Sequence, residues 1–374
     1  MMNTANHPHN TFQSVLSRAQ RGCALNRQNL AVLLNAREDV QRDALFAAAR
    51  AVREQHFGNR IFLYGFVYTS TYCCNDCTFC YYRRSNVSLS RYRKEVAEIL
   101  AAARHLSEAG VHLIDLTMGE DPDLYTRGTA GFDAMADLVA EVRSTTRLPV
   151  MISPGVVPNQ ALQKLVAAGA TWYACYQETH NPERFERLRI HQSFAERMEK
   201  KRLARSIGLL VEEGVLCGIG ETNADLVESI IQMRAIDVDQ ARAMTFIPHQ
   251  DTPLKDHPTD SDMRELQTLA VMRLAFPDRL IPASLDVRGL EGLRDRLRAG
   301  ANVVTSIVPP GRGLNGVANK SLDIESSRRT CASVERILRE EGLQTANQDT
   351  YDQWVAARQL VIANDDFDTM TKYG

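Results

Sequence analysis

Cys73-Cys-Asn-Asp-Cys77-Thr-Phe-Cys80 follows an apolar run, Ile61 to Val67, and leads into Tyr81-Tyr-Arg-Arg84. Cys73, Cys77 and Cys80 form a C-x3-C-x2-C pattern. A chain that turns after a strand brings three thiolates so spaced to one side of a small inorganic cluster. Iron–sulfur cubanes take thiolates at such short spacings and normally require four. Three ligands with no fourth nearby leave one iron open to a small molecule. Zinc is the competing reading, but zinc sites usually pair two separate C-x2-C units or add His. No His lies in this stretch, and the remaining cysteines, Cys23, Cys175, Cys217 and Cys331, are scattered singly. On spacing alone Cys74 is an alternative to Cys73 as a ligand.

The chain around this stretch is 374 residues long, with 44% hydrophobic and 24% charged residues. That suits one large soluble domain or two small ones. A net charge of −2 gives no electrostatic case for nucleic acid or an anionic membrane. No apolar run is long enough to span a bilayer. Met1 to Asn10 is polar and reads as a disordered start, residues 1–10. Scattered thiols without a signal peptide predict a reducing, cytoplasmic location.

Apolar residues recur at helical spacing from about 11 to 57, which predicts a helical cap over 11–58. From Arg60 the pattern becomes a repeated short apolar run, polar loop and amphipathic helix. Strands are expected at 61–69, 111–117, 148–153, 171–177, 214–219, 242–247, 279–285 and 301–307. Helices are expected near 91–109, 131–145, 159–168, 193–213, 223–236, 260–276, 289–299 and 326–342. Gly110, Gly169, Gly214 and Gly300 stand where a left-handed helix-ending residue belongs. Eight such units predict an α/β fold, a (β/α)8 TIM barrel over 59–346, with 347–374 as a C-terminal extension. An open doubly wound sheet would carry a Gly-rich loop after its first strand, where the cysteines stand here.

A barrel places chemistry at the carboxyl ends of its strands. Asp115 lies inside the apolar second strand, where a carboxylate without a partner is costly; a hydrogen bond to a neighbouring strand is its plain alternative. Arg242 opens the sixth strand, with a structural salt bridge as its plain alternative. Ser284 and Asp286 share one side of the seventh, or else cap the next helix. In a barrel these four converge, and two carboxylates with one guanidinium complement a free diamino acid. Arg242 suits its carboxylate, while Asp115 and Asp286 suit its ammonium groups. Glu178 at the end of the fourth strand and Arg197 in the next helix suit the two ends of a methionyl group. Arg197 shares its helix with Lys200, Lys201, Arg202 and Arg205, which read mostly as a solvated face. Gly218 and Gly220 allow either the approach of a flat ring or a mere tight turn.

The cysteine stretch resembles that of radical S-adenosylmethionine (SAM) enzymes, as do Met118-Gly-Glu120, Tyr176-Gln-Glu-Thr179, Ser193-Phe-Ala-Glu-Arg197 and Gly218-Ile-Gly220. The resemblance is to the branch holding biotin synthase and the hydrogenase maturase HydE. Within it, Asp115-Leu-Thr-Met-Gly-Glu-Asp-Pro122, Met151-Ile-Ser-Pro-Gly155 and Arg279-Leu-Ile-Pro-Ala-Ser-Leu-Asp286 are similar to the methylornithine synthases of pyrrolysine biosynthesis. It runs from about residue 25 to 345. It implies a 4Fe-4S cluster on Cys73, Cys77 and Cys80, with Cys74 a bystander. SAM would be held by Met118, Gly119, Glu120, Ser153, Glu178 and Arg197. L-lysine would lie on Asp115, Arg242, Ser284 and Asp286 and leave as 3-methylornithine. In that family a deoxyadenosyl radical takes hydrogen from the lysine side chain, the Cα–Cβ bond breaks into a glycyl radical and an aminobutene, and the pieces rejoin at the neighbouring carbon. A reducing electron donor such as flavodoxin or ferredoxin is implied as well. Biotin synthase needs further cysteines for a second cluster; Met151 or Ile152 and Glu212 stand in those places, which disfavours sulfur insertion. A radical reaction on another small molecule, as in a maturase, and a non-enzymatic metal-binding protein are the alternatives.

Overall fold

At Arg60 the apolar pattern changes from helical spacing to a continuous run, and the backbone changes with it. The computed structural model describes residues 11–259, 261–309 and 328–372. Three helices come first, α1 (Phe12–Gln20), α2 (Arg27–Leu34) and α3 (Asp39–Phe57), before β1 (Arg60–Ser70). Next come α4 (Val96–Glu108), β2 (Leu113–Met118), α5 (Pro122–Thr126), α6 (Thr129–Thr146), β3 (Val150–Ser153), α7 (Asn159–Ala167) and β4 (Ala170–Ala174). The second half holds α8 (Pro182–Leu188), α9 (Phe194–Ser206), β5 (Leu210–Cys217), α10 (Asn223–Ala235), β6 (Gln240–Thr245) and α11 (Met263–Ala275). It continues with β7 (Pro282–Ser284), α12 (Leu293–Arg298), β8 (Val303–Ile307), α13 (Cys331–Glu340), β9 (Gln344–Thr345) and α14 (Gln348–Lys372).

The strands pair in the order β6-β5-β4-β3-β2-β1-β8-β7, and β9 adds to the amino end of β1. The seam between β6 and β7 is carried at their amino ends. Ala241 N donates to Leu280 O and Leu280 N to Asp239 O, each at 3.0 Å. The result is the expected α/β barrel, nearly closed. Alternation sorts β1 cleanly: Phe62, Tyr64, Phe66 and Tyr68 face the lumen, while Ile61, Leu63 and Val67 pack against helices.

At its amino-terminal end the lumen is a dry layer that includes Tyr64, Leu113, Met151, Trp172 and Leu210. Helix α14 seals it from below. Tyr351, Val355 and Ile362 join the same apolar cluster. The Tyr351 and Tyr64 hydroxyls meet at 2.8 Å. Trp354 stacks on Trp172 with ring centroids 5.9 Å apart. Arg358 donates to Asp239 at 2.7 Å and to Asp237 at 2.9 Å. The first three helices form an outer layer on the flank: Arg53 donates to Leu297 O, Gln267 to Leu33 O, and Arg27 pairs with Glu228. No described helix is long and apolar enough to cross a membrane.

Several element bounds differ from the sequence reading. The helix expected over 193–213 ends at Ser206, and β5 begins at Leu210. Its stop is Gly208, at φ +95°, rather than Gly214. Gly214 lies inside β5, where a Cβ would meet the Tyr176 ring at 3.1 Å; the missing side chain lets that ring lie across the lumen. The expected starts at 91 and 289 become Val96 and Leu293. At Val96 the Glu95 side chain and Glu98 form a capping box. The short helices α5 and α8 were not anticipated. The reading of 1–10 as disordered, and the first residues of the helix expected at 326–342, lie outside the described residues.

Tyr351 is fully buried, so Tyr351→Ala is expected to cost about 3–5 kcal/mol and to lower the urea midpoint. An unchanged midpoint would show that α14 is not part of the barrel's core.

Candidate active site

Two cavities share a wall at the carboxyl ends of the strands. The larger, about 290 Å³, is lined by Asp115, Arg242, Asp286 and Ser306 among others. The smaller, about 170 Å³, is lined by Cys73, Cys77, Cys80, Met118, Gly119 and Glu120, with Arg189 and Arg197. Cys80, Ser153, Tyr176 and Glu178 border both. Cys74 is on neither wall as described; its thiol turns toward Glu120 Oε2, at 4.0 Å.

Arg242 is fixed from below. Its Nε donates to Glu212 Oε1 at 2.6 Å and its Nη1 to Thr305 Oγ1 at 3.1 Å. Gln240 donates to Glu212 Oε1 at 2.6 Å, and the Tyr176 hydroxyl donates to Oε2 at 2.8 Å. Burial alone would lower the Arg242 pKa, but Glu212 outweighs it and holds the guanidinium charged. Asp115, on the facing β2, has the Thr117 hydroxyl at 2.7 Å and, among the described residues, no cation at salt-bridge distance. Burial pushes its carboxyl up to about 7, against the Thr117 hydrogen bond. A carboxylate in that state is a receptor for an ammonium group.

Asp286 is paired instead. Its Oδ2 accepts from Ser284 at 3.0 Å and from Ser306 at 2.6 Å, and its Oδ1 from Arg329 Nη1 at 3.0 Å. Ser284 thus stands behind Asp286 and supports it, away from the cavity wall. Ser306 has φ 65°, and the β1–β8 register shifts between Leu63 and Gly65. This bulge lets consecutive residues, Thr305 and Ser306, both reach lumen side chains.

On the other side of the shared wall, Arg197 is 3% exposed. It donates to Glu120 Oε1 at 3.0 Å and to Tyr176 O at 2.9 Å, so it does not belong to a solvated face. Nor does Lys201, fully buried on Gln177 and Glu213. Glu178, at φ 67°, accepts from Arg189 at 3.1 Å. Burial raises its carboxyl despite Arg189. Cys77 Sγ accepts from Gln192 at 3.0 Å and lies 3.6 Å from Arg189 Nη1. Gly218 and Gly220 form a tight turn closed on the Glu221 carboxylate.

The Radical SAM superfamily model matches residues 67–232. The chain is 43% identical over 327 residues to a 3-methylornithine synthase of Methanosarcina acetivorans, covering 87% of this chain and 92% of that protein. It is 30% identical over 297 residues to the [FeFe] hydrogenase maturase subunit HydE of Thermotoga maritima, covering 79% and 83%. A crystal structure of methylornithine synthase (PylB) superposes with a TM-score of 0.86 at 42% identity, over 91% of this chain and 100% of that one. The chain belongs to the methylornithine synthase family of radical SAM enzymes.

A radical SAM enzyme uses a 4Fe-4S cluster and SAM, and the smaller cavity has the donor set for both. Three unbridged thiols stand on one wall. Among the described residues, Glu178 Oε2 and Arg197 Nε are buried there with no partner. Thr305, Ser306, Arg189, Gln192 and Arg329 were not foreseen at the site, and Glu212 only as the residue standing where biotin synthase has a second-cluster cysteine. A charged residue interrupting an apolar strand was the available signal for Glu212.

Asp115 also predicts a pH dependence. Between about pH 4 and 7 the unfolded chain has released this proton while the folded chain keeps it, so stability falls as pH rises, by at most about 1.4 kcal/mol per pH unit. Asp115→Asn removes the loss. Its urea midpoint, relative to wild type, is expected to be higher at pH 7.5 than at pH 5. A difference independent of pH would contradict the assignment.

Proposed function

We propose that the chain converts L-lysine into 3-methylornithine, with lysine in the larger cavity and SAM on the cluster in the smaller. The observation that carries this is the lumen's charge set, a fixed guanidinium facing a buried carboxylate that no described cation pairs, in a chain so similar to a 3-methylornithine synthase. Cys73, Cys77 and Cys80 hold the cluster, and Cys74 does not. Glu120, Glu178 and Arg197, with Met118, Gly119 and Ser153, receive the methionyl part of SAM. Cluster and SAM, when bound, supply a carbon-centred radical strong enough to take hydrogen from an unactivated carbon.

The protein's own work is to hold substrate through a rearrangement in which its two halves are not bonded to each other. Arg242, locked by Glu212 and Thr305, presents its remaining nitrogen to the substrate carboxylate. Asp115 takes one ammonium and becomes fully ionised in doing so, since a cation beside it reverses the effect of burial. Asp286 accepts the other with Ser284 and Ser306 behind it. Phe66, Tyr68, Tyr81 and Tyr82 close the upper lumen with aromatic surface, and α14 closes the floor, which keeps out water and stray hydrogen donors.

Anaerobically reconstituted protein given SAM, a one-electron reductant and L-lysine is expected to yield an isomer of lysine, separable by chromatography and equal in mass. Rearrangement of another amino acid while lysine stays intact would overturn the substrate. Cys74→Ser is expected to keep the absorbance near about 400 nm and the activity, and Cys73→Ala to lose both; the reverse would reassign the ligands.

A further inference from the structure

Arg329 stands just before α13 with its side chain wholly buried. Its backbone carbonyl accepts from Val308 N at 3.1 Å, which ties it to the end of β8. Nη1 of its guanidinium donates to Asp286 at 3.0 Å. Among the described residues, Nε and Nη2 are buried without a partner. Dry, unpaired donors are costly, so stability alone is a poor reason for an arginine here. What this arginine does have is a defined electrostatic target. It meets Asp286 together with Ser284 from β7 and Ser306 from β8, so three segments converge on one carboxylate at the cavity wall.

With Asp115 ionised by a bound cation, Asp115, Glu212 and Asp286 bring three negative charges, and among the described residues Arg242 and Arg329 bring two positive ones. Glu178 at the border is matched by Arg189. One negative charge is left over. Lysine, with one carboxylate and two ammonium groups, carries one positive charge. A diamine of the same reach carries two.

We propose that Arg329 is a positioning residue that sets charge selectivity: by pairing with Asp286 it keeps the cavity one charge negative, so the cavity accepts a diamino acid and rejects a diamine. The inference rests on the lysine reading above. Asp286 is thereby a directional acceptor with little net charge of its own, and Asp115 is the group that selects for a cation. Without Arg329, Asp286 becomes a second uncompensated carboxylate, and a doubly charged ligand gains more than lysine does.

The test is calorimetric titration of the anaerobic holoenzyme, cluster and SAM in place and no reductant, with L-lysine and with 1,5-diaminopentane. The readout is the ratio of the two dissociation constants, which a merely structural loss would leave alone because both ligands would weaken together. Wild type is expected to prefer lysine. Arg329→Gln is expected to shift the ratio toward the diamine by about tenfold or more, and Arg329→Lys to restore it. Asp286→Asn, which leaves Arg329 uncompensated, is expected to shift the ratio the other way and decides the matter if Arg329→Gln does not fold. A wild-type protein that binds lysine, with ratios unchanged in Arg329→Gln and Asp286→Asn, overturns the inference alone. A wild-type protein that does not bind lysine overturns the substrate reading, and the inference with it.

Discussion

Glu212 and Arg242 form a buried ion pair in the middle of the barrel, and the upper lumen is arranged around it. Such a pair is weak evidence for stability, because desolvating both charges offsets most of their attraction. What it supplies is a fixed direction. Glu212 is fully buried and its two oxygens are held by Arg242, Gln240 and Tyr176. The guanidinium cannot swing without breaking several of these contacts at once. Gly214 belongs to the same constraint, since a side chain there would push the Tyr176 ring off Glu212.

From that fixed point the two cavities acquire different tasks. The smaller has three thiols and the Glu120–Arg197 pair; the larger has no thiol but Cys80, which borders both. The thiols of the smaller cavity are therefore one shared wall away from the carboxylates and guanidinium of the larger. The dry floor below and the aromatic belt above bound the volume in which an open-shell fragment can move. Confinement of this kind is what lets a carbon–carbon bond break and re-form within one turnover.

Much of this was legible in the sequence because it is encoded locally. The cysteine spacing is a feature of eight residues. The eight strands follow from short apolar runs and from glycines such as Gly110, Gly169 and Gly300, each at positive φ after its helix. Asp115 and Arg242 were visible because a charge inside an apolar strand needs a reason. Glu212 was hidden by one misplaced boundary: with Gly214 taken as a helix stop, Glu212 fell on a helix. Ser306 was hidden by the bulge, since strict alternation turns it away from Thr305's side. Arg329 and the floor helix were hidden for another reason. Their partners, Asp286 and Trp172, are distant in sequence, and no local pattern announces a contact made only in the folded barrel.

The central claim is that the lumen holds both halves of one lysine molecule until they rejoin. A crossover measurement tests it most directly. Uniformly carbon-13-labelled and unlabelled L-lysine are mixed, turned over anaerobically, and the product is analysed by mass spectrometry. Halves kept in one cavity give product that is wholly labelled or wholly unlabelled. Product in which a labelled half is joined to an unlabelled one would contradict the account.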